Sequence, residues 1–124
     1  MGNEYHGIEN GERSFEAIDS NDWHNVMNVN CYAPIQITYA LLENLKKGTL
    51  KKVVNISSIV GIIDEWKKAS PKFNLPYQTS KAALNMAVQG TSEDLKMHGI
   101  TSVALHPGWV RTDMGGNGLG LLEI

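Results

Sequence analysis

Cysteine is almost absent from this sequence. Cys31 is the single one among 124 residues, so no internal disulfide can form, and a reducing compartment is the simpler interpretation. No apolar run approaches the roughly 18 residues that a membrane helix needs. The opening stretch, MGNEYHGIEN, is polar and acidic and does not resemble a secretory signal. We therefore expect one soluble, cytoplasmic domain.

Strong charge is also lacking. The formal net charge is −2, with 11 basic and 13 acidic residues, which is too small an imbalance to indicate a nucleic-acid or anionic-membrane partner. The four histidines show no spacing typical of a metal site, and no second cysteine could join them. We expect no nucleic acid, no membrane and no bound metal.

The segments with regular apolar patterns alternate between helix and strand. Residues 1–20 are expected to be a loop, and a long amphipathic helix should begin near Ser20 to Asp22 and end near Gly48. A strand at 51–58, a helix at 76–97 and a strand at 100–105 follow. This order predicts an α/β fold in which both strands are parallel and joined by a right-handed crossover. In such sheets, chemistry gathers beyond the carboxyl ends of the strands.

Asn30 and Pro34 interrupt the first helix. Asn30 lies in its apolar stripe, where a buried amide needs a hydrogen-bond partner. Pro34 has no N–H to give to the carbonyl of Asn30, so the helix should kink and leave that oxygen free for another partner. The alternative is that Asn30 lies at the edge of the stripe, in contact with solvent.

Tyr77 and Lys81 are four residues apart in the second helix. At that spacing they share a face, and a nearby ammonium group favours the phenolate and lowers the pKa of a tyrosine. The pair is therefore a candidate acid, although a bare Tyr-x-x-x-Lys is more often an ordinary exposed helix face.

Two further groups follow the strands. Ser58 ends the first strand and could hold a substrate oxygen, or it could cap a turn. After the second strand, HPGWVRT places Pro107 and Gly108 where the backbone can approach a flat ligand, and Thr112 offers a hydroxyl. Taken singly, this segment is an ordinary turn.

Together, these residues resemble the second half of the short-chain dehydrogenase/reductase family. The resemblance is carried by "MNVNCYAP", "VVNISS", "YQTSK" and "HPGWVRTDM", and it is strongest to the branch of sniffer-like carbonyl reductases and C-factor. It implies a partial Rossmann fold, with residues 21–116 as the catalytic half of a dinucleotide-binding domain and 117–124 as a flexible tail. It also implies NAD or NADP as cofactor, with NADP favoured, and a small carbonyl or alcohol substrate.

The resemblance assigns a role to each candidate residue. Tyr77 would be the general acid/base. Lys81 would lower the pKa of Tyr77 and bind the nicotinamide ribose. Ser58 would orient the reacting oxygen, and Asn30 would hold a water that links Lys81 to solvent. The remaining candidates would bind the nicotinamide carboxamide: Pro107, Gly108, Val110 and Thr112.

The sequence also departs from the family pattern. The glycine-rich phosphate loop, the cofactor selector and the "NNAG" strand of the family would precede the first helix, where this sequence has only a short loop. We therefore expect the isolated chain to self-associate and to lack reductase activity. The alternative to an oxidoreductase is a non-catalytic fragment or interaction module that binds a full-length relative.

Overall fold

The computed structural model describes residues 19–66 and 75–108. Within these ranges the chain forms five α-helices and two strands. The bounds are α1 Ser20–Met27, α2 Ala33–Ala40, α3 Leu42–Lys47, β1 Lys52–Ile56, α4 Ile63–Trp66, α5 Leu75–Met97 and β2 Thr101–Leu105. A π-helical segment, Asn28–Tyr32, joins α1 to α2, and a 3₁₀ turn, Ile59–Gly61, follows β1.

The expected long first helix is present, but it is divided. Asp19 rather than Ser20 is its N-cap, and the Asp19 carboxylate accepts hydrogen bonds from the backbone N–H groups at the helix start. Where the sequence predicts a kink, at Asn30 and Pro34, the helix contains the π segment, in which the N–H of Ala33 donates to the carbonyl of Asn28, five residues back. The break at Leu41, between α2 and α3, was not predicted.

The two strands are parallel, as the sequence predicts. Lys52 of β1 pairs with Thr101 of β2, and the register continues to Ile56 and Leu105. The observed strands are shorter than expected. β1 ends at Ile56, although the N–H of Ser57 still donates to the carbonyl of Leu105, and Ile100 belongs to the preceding turn.

Helix α5 is the crossover between the strands and the centre of the packing. Its buried apolar residues recur on one face, where they meet α1, the π segment and β2. The hydrophobic core consists of Val26, Val60, Leu84, Val88, Leu95 and Ile100. Gly99, with φ +72°, ends the helix, and the N–H groups of Gly99 and Ile100 donate to the carbonyls of Lys96 and Leu95. This Schellman arrangement confirms the helix end predicted at His98 and Gly99.

The connection between β1 and α5 is more regular than expected. The sequence predicts neither helix nor strand between residues 58 and 76, yet this stretch contains the 3₁₀ turn and the short helix α4. Pattern analysis missed both because each is about one turn long. Residues 67–74 of this connection, residues 1–18 of the loop predicted at 1–20 and the tail at 117–124 lie outside the described residues. None of the described helices is long and apolar enough to cross a membrane.

Candidate active site

Tyr77 and Lys81 share a face of α5, as their spacing predicts. Lys81 is 9% exposed, and its Nζ donates a hydrogen bond to the carbonyl oxygen of Ile56, 2.8 Å away, at the end of β1. The same Nζ lies 5.6 Å from the centroid of the Tyr77 ring, within the range of a cation–π contact. The pair is thus anchored at the carboxyl end of the first strand. Burial lowers the pKa of Lys81.

Burial and Ser58 act in opposite directions on the pKa of Tyr77. The phenol is half-buried, and burial raises its pKa above the ordinary value, while a side-chain hydrogen bond with Ser58 opposes the rise. The expectation that Lys81 sets a lowered pKa is therefore wrong for the chain without cofactor: the net shift is upward, because desolvation of the phenolate is the larger effect. At neutral pH, Tyr77 keeps its proton.

Ser58 occupies the position expected from the sequence. It follows β1 in extended conformation and caps the 3₁₀ turn, since its Oγ accepts from the N–H of Val60 at 3.4 Å. The turn-capping alternative is realised, and the same hydroxyl also hydrogen-bonds with the Tyr77 side chain. The candidate acid and a neighbouring hydroxyl thus meet at the carboxyl end of β1.

Asn30 reaches the same helix through a partner that sequence analysis did not identify. Its Nδ2 donates to the Oγ of Ser80 at 3.0 Å, and this hydroxyl donates to the carbonyl of Tyr77 at 2.7 Å. Ser80 is fully buried and precedes Lys81. The π segment is thereby tied to the first turns of α5, beside the candidate lysine.

The predicted carboxamide-binding turn is described only in part. Pro107 and Gly108 follow β2 and are half-buried, and Gly108 has φ +80°, a left-handed conformation that favours glycine. The turn starts at the same sheet edge as Ser58, because the strands are parallel. Val110 and Thr112 lie outside the described residues.

Three more residues at this edge were missed. Ser57 and Gly61 flank Ser58, and Asn85 of α5 hydrogen-bonds to both. A signal was available for Asn85, which follows Tyr77 and Lys81 at the same four-residue spacing. Ser57 and Gly61 gave no such signal, because their roles depend on contacts with a distant helix.

The chain has an open groove that is separate from these residues. It has a volume of about 370 Å³ and lies between α3 and the start of β1, where Leu41, Leu45 and Leu50 contribute to its lining. This is the amino-terminal end of β1, opposite to Ser58. In the described ranges, no three His, Cys, Asp or Glu side chains lie close enough together to hold a metal ion.

Known proteins similar to this chain include short-chain dehydrogenases and reductases. Residues 6–118 match the family model for the short chain dehydrogenase. The C-signal protein of Myxococcus xanthus is 39% identical over 99 residues, which are 80% of this chain and 58% of that protein.

Two solved structures resemble the fold closely. The NADPH-bound carbonyl reductase from chicken fatty liver is 37% identical, with a TM-score of 0.74 over 84% of this chain and 44% of that one. The carbonyl reductase Sniffer of D. melanogaster is 33% identical, with a TM-score of 0.76 over 93% and 50%. The chain thus spans about half the length of these relatives, and its α/β architecture is the expected part of a Rossmann fold. The family model covers most of the chain and agrees with these structures, so the chain belongs to the short-chain dehydrogenase/reductase family.

Proposed function

We propose that this chain contributes the catalytic half of an NADP(H)-dependent carbonyl reductase. The observation that carries the proposal is the meeting of a protonated tyrosine, a serine hydroxyl and a buried lysine at the carboxyl end of β1. Family membership favours this oxidoreductase function over the alternative of an interaction module. The carbonyl substrate and NADP are inferred from the two carbonyl reductases, one of which was solved with NADPH.

Tyr77 is the proposed general acid. Its raised pKa keeps the phenol protonated at neutral pH, so it can give a proton to a carbonyl oxygen as that oxygen gains negative charge. Ser58 now hydrogen-bonds to Tyr77; when substrate binds, its single hydroxyl proton would turn to the same carbonyl oxygen and fix its position. The cofactor, when bound, supplies the hydride.

The described residues fit the nicotinamide end of such a cofactor. Lys81 is held beside Tyr77 by its bond to the Ile56 carbonyl, and its ammonium group has further N–H donors for ribose hydroxyls. The positive φ of Gly108 places a turn without a side chain at the same sheet edge, where Pro107 and Gly108 would contact the carboxamide. Val110 and Thr112 stay proposed from sequence alone.

Asn30 is proposed to hold a water near Lys81. Support comes from the π segment, which the missing N–H of Pro34 explains, and from the Asn30–Ser80 hydrogen bond beside Lys81. This contact fixes the orientation of the amide. The Asn30 carbonyl is the group that would accept from the water.

The proposal is tested by Tyr77→Phe in the longest natural polypeptide that contains this sequence. The substitution removes the proton but keeps the ring, so NADPH-dependent carbonyl reduction should fall about 10²- to 10⁴-fold while nucleotide binding persists. Tyr39→Phe is the matched control, because Tyr39 is 74% exposed on α2, and it should keep full activity. Undiminished turnover in Tyr77→Phe would reject the assignment.

A further inference from the structure

The segment that carries Ser58 is held by one side chain of α5. The Oγ of Ser57 donates to Oδ1 of Asn85 at 2.5 Å, and Nδ2 of Asn85 donates to the carbonyl of Gly61 at 3.4 Å. The amide thus bonds to both ends of the segment 57–61, and Ser58 lies between the two attachment points. The shorter Ser57 bond is the stronger of the two.

The same segment lies against the helix with no space between them. A Cβ at Gly61 would be 2.7 Å from the carbonyl carbon of Lys81 and 2.8 Å from the nitrogen of Ala82. These atoms are backbone and cannot move aside. The absence of a side chain at Gly61 is what allows Asn85 to reach across to it.

Asn85 also lies on the helix face of the candidate catalytic pair. It is one turn beyond Lys81 and two turns beyond Tyr77, so all three project toward the end of β1. A hydrogen bond is directional and weakens within a few tenths of an ångström. The Ser58–Tyr77 bond therefore requires that the segment and the helix be fixed relative to each other.

We propose that Asn85 is a positioning residue that fixes the Ser58 hydroxyl against Tyr77 by binding Ser57 and Gly61. Its relevance to carbonyl reduction rests on the proposed function, but the positioning itself is a property of the folded chain. Asn85 acts on Ser58 through its neighbours in the chain, by its hydrogen bonds with the Ser57 hydroxyl and the Gly61 carbonyl.

The test measures the coupling between Ser58 and Tyr77. The chain is labelled with 3-fluorotyrosine, whose ring fluorine makes the phenol more acidic and brings its titration toward the pH range of the folded chain. The Tyr77 fluorine signal is assigned by its loss in Tyr77→Phe. In the otherwise unchanged chain, Ser58→Ala should raise the pKa of Tyr77, because it removes the hydrogen bond that lowers this pKa. In an Asn85→Leu background, the same Ser58→Ala change should no longer move it.

Two variants separate positioning from general stability. Val88→Ala removes buried apolar volume one turn beyond Asn85. It should lower the melting temperature, but Ser58→Ala should still raise the pKa of Tyr77 in this background. Asn85→Asp keeps an acceptor for Ser57 but loses the donor to Gly61, and it should restore the coupling. If Asn85→Leu does not fold, Ser57→Ala removes the same bond with a smaller change and should also abolish the coupling.

Hydrogen exchange provides an independent measurement. Asn85→Leu should speed amide exchange in residues 58–62 by at least tenfold without a similar change in α1, whereas Val88→Ala should affect both regions. A full Ser58→Ala effect in the Asn85→Leu or Ser57→Ala background would overturn the proposal. That result would not count against the proposed carbonyl reduction. Conversely, an inactive enzyme in which Ser58 and Tyr77 stay coupled would reject the proposed function but not the positioning role of Asn85.

Discussion

At the residue scale, Lys81 has two proposed roles: it lies beside the candidate acid Tyr77, and it would bind the cofactor ribose. Its ammonium group is bonded to the end of β1 and lies over the face of Tyr77, and burial lowers its own pKa. A cation over an aromatic face favours the more electron-rich phenolate ring. In the proposed reaction the same group would bind the cofactor ribose, so its removal should affect both chemistry and binding.

We predict that Lys81→Met lowers both turnover and cofactor affinity. In carbonyl reduction the protonated phenol is the active form, so the rate is flat at neutral pH and falls as Tyr77 deprotonates. Burial already places this pKa above its ordinary value of 10.0, and loss of the cation should shift the alkaline limb further upward.

The measurement is the pH–rate profile of the longest natural form, together with nucleotide titration. Lys96→Met is the matched control on the same helix, because the Lys96 side chain is 78% exposed. An alkaline limb that stays in place in Lys81→Met would contradict the electrostatic role of the lysine.

At the scale of secondary-structure elements, the 3₁₀ turn packs so closely against α5 that a side chain at Gly61 does not fit. Gly61 is buried, and its missing Cβ would lie 2.7 Å from the backbone of Lys81. We predict that Gly61→Ala lowers the free energy of unfolding by about 1–3 kcal/mol, the usual cost of overpacking. The turn would have to move away from the helix that carries Tyr77.

Gly90 in α5 is the matched control. A Cβ there would meet no atom within 4 Å, and an alanine in a helix interior is favoured over glycine. Gly90→Ala should therefore raise the free energy of unfolding by about 0.5–1 kcal/mol. Chemical denaturation of both variants checks the pair; equal effects of the two substitutions would show that the close contact at Gly61 is not real.

At the scale of the whole molecule, one face of the sheet is apolar and uncovered by the described residues. Strand alternation and the register place four side chains together on it. Their exposed fractions are 53% for Val54, 54% for Ile56, 42% for Val103 and 46% for Leu105. Helix α5 packs against the other face. The described sheet has two strands, so its edges are open as well.

We predict that the purified 124-residue polypeptide self-associates through this face. Sedimentation should show concentration-dependent association, and the double variant Val54→Thr/Val103→Thr, which keeps side-chain shape but adds hydroxyl groups, should weaken it. The control is Met86→Gln/Met97→Gln, which changes two exposed residues on α5 and should have little effect. A monomer at all concentrations, or association abolished only by the helix control, would refute this prediction.

The sequence by itself determined the order of elements and several local features. Both strands and the crossover helix were predicted, because apolar periodicity follows from the backbone geometry of each element. The shared face of Tyr77 and Lys81 and the stop at Gly99 were equally local. So was the disturbance before Pro34, since a missing N–H acts within one turn of the chain.

Only the tertiary structure decided how these pieces act on one another. The pKa of Tyr77 is raised rather than lowered because burial depends on what packs around the ring. Asn30 bonds to Ser80, fifty residues away in sequence, and Asn85 holds the segment around Ser58 across a separation of 24 to 28 residues. No period or motif encodes such pairings, because each depends on the positions of two elements at once, and those positions are set by the packing of the whole chain.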